Sequence, residues 1–167
     1  MFRQWKDGTL KMVLISKAEK QDLDYVCSLE RELILEELSR GVRGFLQILD
    51  LQSLTERVRN FYASRNLDFS ATYTAKEEEI IGFIHGKIQN HPLTTPKRVG
   101  FVTSFFIKPE YRKKGIGKEL YSEMEKWFKE KECAAIELDI SEGNPAIEFY
   151  RLEGFENYLI KMVKKIG

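Results

Sequence analysis

A chain of 167 residues suits one domain spanning 1–167 and is ample for a sizeable core. With 43% hydrophobic and 32% charged residues it reads as an ordinary soluble globular protein rather than a disordered one. Its 27 lysines and arginines nearly cancel 26 aspartates and glutamates, which argues against nucleic acid, and no apolar run approaches the ~20 residues of a membrane span. The start MFRQWKDGTLK lacks the apolar stretch of a signal peptide. Cys27 and Cys133 lie far apart without metal-ligand spacing, so both read as reduced core thiols of a cytoplasmic protein, and no metal is expected.

In chain order, KMVLIS (11–16) predicts a first strand. A long helical stripe follows through Leu23, Val26, Cys27, Leu33, Ile34 and Leu38, with either Ser16/Glu19 or Asp22 as its cap. SRGVRG (39–44) ends it, and GFLQILDL (44–51) is apolar but fits neither period. Ser53 and Glu56 form a capping box for a shorter helix carrying Leu54, Val58, Phe61 and Tyr62. FSATYTA (69–75) and IIGFIHGKI (80–88) predict a hairpin about the polar turn KEEE, and QNHPLTTPKR (89–98) a loop. VGFVTSFFI (99–107), dense in β-branched and aromatic residues, is the strongest strand. A helix follows with Ile116, Leu120, Met124, Trp127 and Phe128 on its core side, then a strand at AAIELDI (134–140). Asn144-Pro145 starts a short helix whose end is marked by Gly154, and FENYLIKMVKK (155–165) predicts a last strand. The pattern is a mixed α/β sheet: an antiparallel meander feeds a strand–helix–strand unit that must be right-handed and parallel.

One stretch, YRKKGIGKELY (111–121), joins two lysines to a glycine turn at a helix start. Unpaired N–H groups and the positive end of the helix dipole suit such a point to an anion. The P-loop pattern is absent, and Leu120 stands where a dinucleotide fingerprint needs its third glycine.

FIKPEYRKKGIGKELY (106–121) resembles the central motif of the GNAT superfamily of acyl-CoA-dependent N-acyltransferases, through Ile107, Pro109, Arg112, Gly115 and Gly117. SEGNPAIEFYRLEGFE (141–156) resembles a second signature of that family through Asn144, Ile147, Tyr150, Gly154 and Phe155, with the family's alanine one position earlier at Ala146, and IIGFIHGKI looks like its third strand. The resemblance covers roughly residues 11 to 165 and is strongest from 80 onward. It implies a GNAT-like fold with helices on both faces of the sheet, and acetyl-CoA as cosubstrate. Backbone N–H groups from Arg112 through Lys113, Lys114, Gly115, Ile116, Gly117 and Lys118 would ring the pyrophosphate. The exposed backbone of Phe105, Phe106 and Ile107 would pair the pantetheine arm like an extra strand, beside a bulge expected near Thr103-Ser104. Asn144 would add a cofactor contact to its capping role.

The activity so implied is transfer of acetyl to a primary amine of a small molecule or a peptide or protein, by direct attack. Tyr150 is the general acid, although the same tyrosine could simply pack its helix on the sheet. The base is left open among Glu137, Asp139, His85, a water held by Ser104, and a water chain with no single base. The stretch SRGVRGFLQILDLQ (39–52) and the 89–98 loop would flank the acceptor, with Phe45, Leu46, Ile48 and Leu49 favouring an apolar portion and Arg40 and Arg43 a carboxylate. The resemblance also allows a homodimer through the edge of the last strand. The competing reading is a non-catalytic CoA-binding or regulatory module on the same fold.

Overall fold

A computed structural model describes residues 2–6, 9–40, 51–91 and 96–159, together with 162 and 164. Its strands are β1 (Phe2–Lys6), β2 (Thr9–Lys17), β3 (Ser70–Lys76), β4 (Ile80–Asn90), β5 (Arg98–Ile107) and β6 (Ala135–Leu138). Its helices are α1 (Leu23–Ser39), α2 (Leu51–Ala63), α3 (Ile116–Glu130) and α4 (Ile147–Leu152). The strands lie side by side in chain order, each antiparallel to its neighbour except β5 and β6, which are parallel across α3.

Helices cover both faces. On one side α3 buries Ile116, Leu120, Met124 and Phe128 against Val13, Ala71, Ile84 and Val102 of the sheet. Each large apolar side chain removed from water there contributes about 1.5–3 kcal/mol. Gly86 and Gly100 let Phe128 lie directly on the strands, since a Cβ at either would sit 2.6 or 2.5 Å from its ring. On the other side α1 and α2 bury Val26, Cys27, Leu29, Val58 and Tyr62 against Ile80, Phe83 and Phe106. β4 lies between these two cores, which is why IIGFIHG reads as a continuous run instead of alternating.

Several boundaries differ from the sequence reading. β1 was not anticipated; it pairs with β2 as a hairpin from Phe2↔Val13 to Lys6↔Thr9. Ahead of α1, the capping box uses Glu19 and Asp22, whose carboxylate accepts the Glu19 N–H at 2.9 Å, rather than Ser16. α2 starts at Leu51, before the Ser53/Glu56 box. The strand expected over 134–140 is confined to 135–138. Residues 89–90 and 98 extend β4 and β5, closed by the His91 N–H on the Lys97 carbonyl at 2.7 Å. Residues 155–159 form no strand, and most of the remaining expected last strand lies outside the described residues, as do 41–50 and 92–95 of the expected acceptor loops.

Candidate active site at the fork between β5 and β6

β5 pairs with β6 only from Val99↔Ala135 to Val102↔Leu138. Beyond Val102 the strands part, and the second edge of β5 from Thr103 to Ile107 has no strand partner among the described residues. The parting coincides with a bulge. Against β4, His85 pairs with Ser104 and Gly86 with Val102, so Thr103 is the extra residue, in the place expected. Its hydroxyl donates to the His85 carbonyl at 3.1 Å.

One inserted residue reverses which way each later side chain points. Gly100 and Val102 face α3, and without the bulge Ser104 and Phe106 would follow them. Instead Ser104 and Phe106 turn to α1 and α2, while Phe105 and Ile107 turn to α3. The backbone obeys the same alternation. Lys108 N–H donates to the Ile81 carbonyl of β4 at 2.9 Å, so the N–H groups of Phe106 and Ser104 also face β4. Those of Phe105 and Ile107 point to the open edge. Phe106, expected along that edge, is not brought there: its ring is 4% exposed in the α1–α2 core.

The glycine turn closes one end of the fork. Gly115 takes φ +84°, a left-handed conformation that suits glycine, and Lys113 takes φ +59°, which a side chain rarely adopts. Such curled backbone aims N–H groups into one concavity. The first hydrogen bond of α3 runs from Glu119 N–H to the Gly115 carbonyl at 3.2 Å, leaving the N–H groups of Ile116, Gly117 and Lys118 without an intrahelical acceptor. Ile116 anchors the helix start, its side chain fully buried. A Cβ on Gly117 would point at Ile107 Cδ1 (3.2 Å) and Phe105 Cζ (3.5 Å), so the glycine keeps the junction of turn and fork open. Lys113 and Lys118 are exposed, and Lys114 lies over the Tyr111 ring at 5.5 Å.

Arg112 is placed differently from its expected role. Its N–H donates to the Pro109 carbonyl at 3.2 Å and its Nε to the Ile107 carbonyl at 2.8 Å. Its two remaining nitrogens grip both oxygens of Glu36 on α1, at 2.8 and 2.6 Å, while the guanidinium lies 5.4 Å from the centre of the Phe106 ring. Arg112 is thus a strut from the turn to α1 rather than part of the N–H ring. The bidentate pair holds the Glu36 carboxyl below the usual range, against the opposing effect of burial. A depressed carboxylate pKa stabilises the fold above the unfolded value of roughly 4.3. That contribution is lost as pH falls through the lower folded value. Thermal melts from neutral pH downward are therefore expected to show a smaller acid-side loss of stability in Glu36→Gln than in the wild type, the remainder including that of Asp22 paired with Lys76.

Tyr150 stands over the fork from α4. Asn144 Oδ1 accepts the Ala146 N–H at 2.9 Å and shapes the entry to this helix. At its exit Gly154, at φ +90°, donates to the Arg151 carbonyl (3.1 Å) and Phe155 to the Tyr150 carbonyl (2.9 Å). This double bond pattern brings Phe155 back against Tyr150, ring centres 5.4 Å apart. Phe105 and Phe149 lie 6.4 and 5.3 Å from the same ring. Tyr150 is 8% exposed, and its hydroxyl makes no hydrogen bond among the described residues. Burial foremost, then Tyr121, pushes its pKa up, so it is protonated at neutral pH.

The family model described as "Acetyltransferase (GNAT) family" matches residues 35–155. The chain belongs to the GNAT acetyltransferase family. Solved structures share its fold: a GCN5-related N-acetyltransferase from Ralstonia eutropha JMP134 (TM-score 0.75, 19% identity, 93% of this chain and 99% of that one); a predicted acetyltransferase with acetyl-CoA from Clostridium acetobutylicum (0.70, 19%, 92% and 96%); and the aminoglycoside N-acetyltransferase AAC(6')-Iy in complex with CoA (0.70, 18%, 93% and 95%). No curated protein matches the sequence significantly.

Other residues of the GNAT domain sort as follows. His85 is 1% exposed, its Nδ1 is 2.8 Å from the Thr72 hydroxyl, and burial lowers its pKa to about 4. A neutral, enclosed imidazole that weak suits structure better than proton abstraction. Glu137 is half-buried opposite Phe101, and Asp139 is exposed beyond the end of β6. Sequence reasoning missed Glu30, Glu36 and Tyr62, which meet the fork from α1 and α2. Nothing in the run LERELILEE separates these glutamates from a solvated helix face. Among the described residues no cluster of His, Cys, Asp or Glu could hold a metal ion, and no helix is long and apolar enough to cross a membrane.

Proposed function

We infer that this GNAT domain transfers an acetyl group from acetyl-CoA to a primary amine of a small molecule or a peptide or protein. The observation that carries the reading is the open edge of β5, with two outward N–H groups, running directly into a turn with unpaired N–H groups. Acetyl-CoA supplies an activated acyl group as a thioester. The N–H groups of residues 113–118 hold its pyrophosphate, helped by Lys113, Lys114 and Lys118, while Arg112 braces the turn. Phe105 and Ile107 pair the pantetheine arm through their outward N–H groups, as an added strand would. From Ile107 back to the bulge is four residues, roughly 13 Å at ~3.3 Å per residue, a span suited to an extended arm. The reacting end then falls beside Thr103 and Ser104.

There Tyr150 gives its proton to the departing sulfur. A thiol pKa near 8.5 against an ordinary phenol near 10 makes the transfer uphill by ~2 kcal/mol, and burial of Tyr150 raises that further, so it proceeds together with bond cleavage. Asn144 serves this site by fixing the entry to α4. Both cysteines are unpaired, in keeping with a reducing compartment such as the cytoplasm.

Calorimetry with acetyl-CoA, followed by thiol release against amines, amino acids, polyamines and peptide N-termini, tests the reading. Binding with amine-dependent release is the expected result. Binding with no release from any acceptor would favour a non-catalytic CoA-binding module. Absence of binding would show that the turn holds a different anion.

A further inference from the structure

Just past the end of α2, on the face of the sheet opposite α3, a guanidinium is fixed with part of its donor set unused. Arg65 lies over the Tyr62 ring at 5.7 Å, and its Nη1 donates to the Tyr62 carbonyl, one of the last carbonyls of α2. These two contacts hold the group in place. Its Nε is enclosed and makes no hydrogen bond, and its Nη2 meets no acceptor among the described residues. No carboxylate of the described residues pairs with Arg65. Arg59 of α2, by contrast, is paired with Asp24 at 3.0 Å.

The surroundings tie Arg65 to the bulge. The Tyr62 and Phe61 rings lie 5.1 and 5.6 Å from that of His85, which pairs with Ser104 where the register shifts. Phe61 is half-exposed. Lys87 shares the face of β4 with His85, two residues on, and lies over the Phe101 ring at 5.5 Å. It too has no carboxylate partner among the described residues. After burial, Arg65 is the next cause that keeps the His85 ring neutral, and Lys87 adds to it against a backbone hydrogen bond with Ala71. Glu30 has the Ser104 and Tyr62 hydroxyls among its partners, each at 3.0 Å, and neither of these cations. A planar guanidinium with a donor group to spare matches a carboxylate.

We propose that the acceptor is an amine that also carries a carboxylate, and that Arg65 receives this carboxylate, with Lys87 adding to the positive field and Phe61 covering the apolar part between the two ends. This rests on the reading of the fork as the acyl-donor site, because only then does the bulge mark where the amine must lie. Arg65 is a specificity group that binds the far end of the acceptor. Its loss therefore falls on KM rather than kcat.

The test uses the full chain with acetyl-CoA and three amino acids, each beside the amine that lacks its carboxylate: phenylalanine with phenethylamine, 4-aminobutyrate with propylamine, and 6-aminohexanoate with pentylamine. The wild type is expected to release thiol with at least one amino acid, at a KM about tenfold to a hundredfold below that of its matched amine, the scale of a charge-assisted hydrogen bond. Arg65→Gln is expected to erase that difference by raising KM for the amino acid, with calorimetric acetyl-CoA affinity unchanged, and Arg65→Lys to recover part of it. Equal KM values within every pair would overturn the proposal. So would an equal loss for both members of a pair in Arg65→Gln, which would make Arg65 only a brace for the end of α2. Acetyl-CoA binding with thiol release from none of the six would overturn the proposal and leave the donor site standing. Failure of the wild type to bind acetyl-CoA would overturn both together.

Discussion

Tyr150→Phe is expected to lower kcat by ~10²-fold or more and to leave acetyl-CoA affinity nearly unchanged, the scale for loss of a general acid. The substitution removes one hydroxyl and nothing else from the packing. The ring is held by Phe105, Phe149 and Phe155, and the hydroxyl makes no hydrogen bond among the described residues, so no internal partner is orphaned by its loss. Stability should therefore move little, which separates this variant from ordinary core damage. Steady-state kinetics with the best acceptor, a melting curve and acetyl-CoA calorimetry read the three quantities. An unaltered kcat would return Tyr150 to a packing role.

Gly117→Trp is expected to abolish measurable acetyl-CoA binding in a chain that still folds. The Cβ direction of Gly117 runs toward Ile107 and Phe105, so an indole there would lie across the junction of the N–H turn and the open strand edge. Gly117→Ala is the control. The first atoms its methyl meets are the ends of side chains, 3.2 and 3.5 Å away, which can shift by a few tenths of an ångström. Alanine also gains up to ~1 kcal/mol of helix propensity over glycine. Retained binding in the alanine variant with loss in the tryptophan variant would locate the pyrophosphate at the turn. Retained binding in both, with both folded, would remove it from there.

Some readings that needed only local patterns correspond to what is seen in the structure. The α3 stripe from Ile116 to Phe128 is core because side chains at helical spacing share one face. Gly154 ends α4 because its left-handed backbone conformation is one that glycine adopts without steric cost. The two-glycine turn at a helix start was legible for the same local reasons, and it takes the form of a left-handed Gly115 directly ahead of α3. Less legible were the parts that depend on partners distant in sequence. Phe105, Phe106 and Ile107 are three consecutive apolar residues, and nothing in their order says which two face the open edge. Arg112 read as a motif position and the first N–H of the pyrophosphate ring, and nothing near it in sequence points to Glu36, 76 positions away, as the partner of its side chain.

Local sequence was enough for the element order from β2 to α4, for the α3 apolar face and for the glycine turn, because each is set by residues within a few positions of one another. Family membership was also legible there, through two motifs at the right separation. Only the tertiary structure decided where β5 parts from β6 and which side chains meet at that point. A bulge of one residue at Thr103 reverses every later side chain of β5, and it exists only in the pairing with β4. Glu30, Ser104 and Tyr62 come from α1, β5 and α2, and packing on the sheet is what brings their oxygens within 3.0 Å.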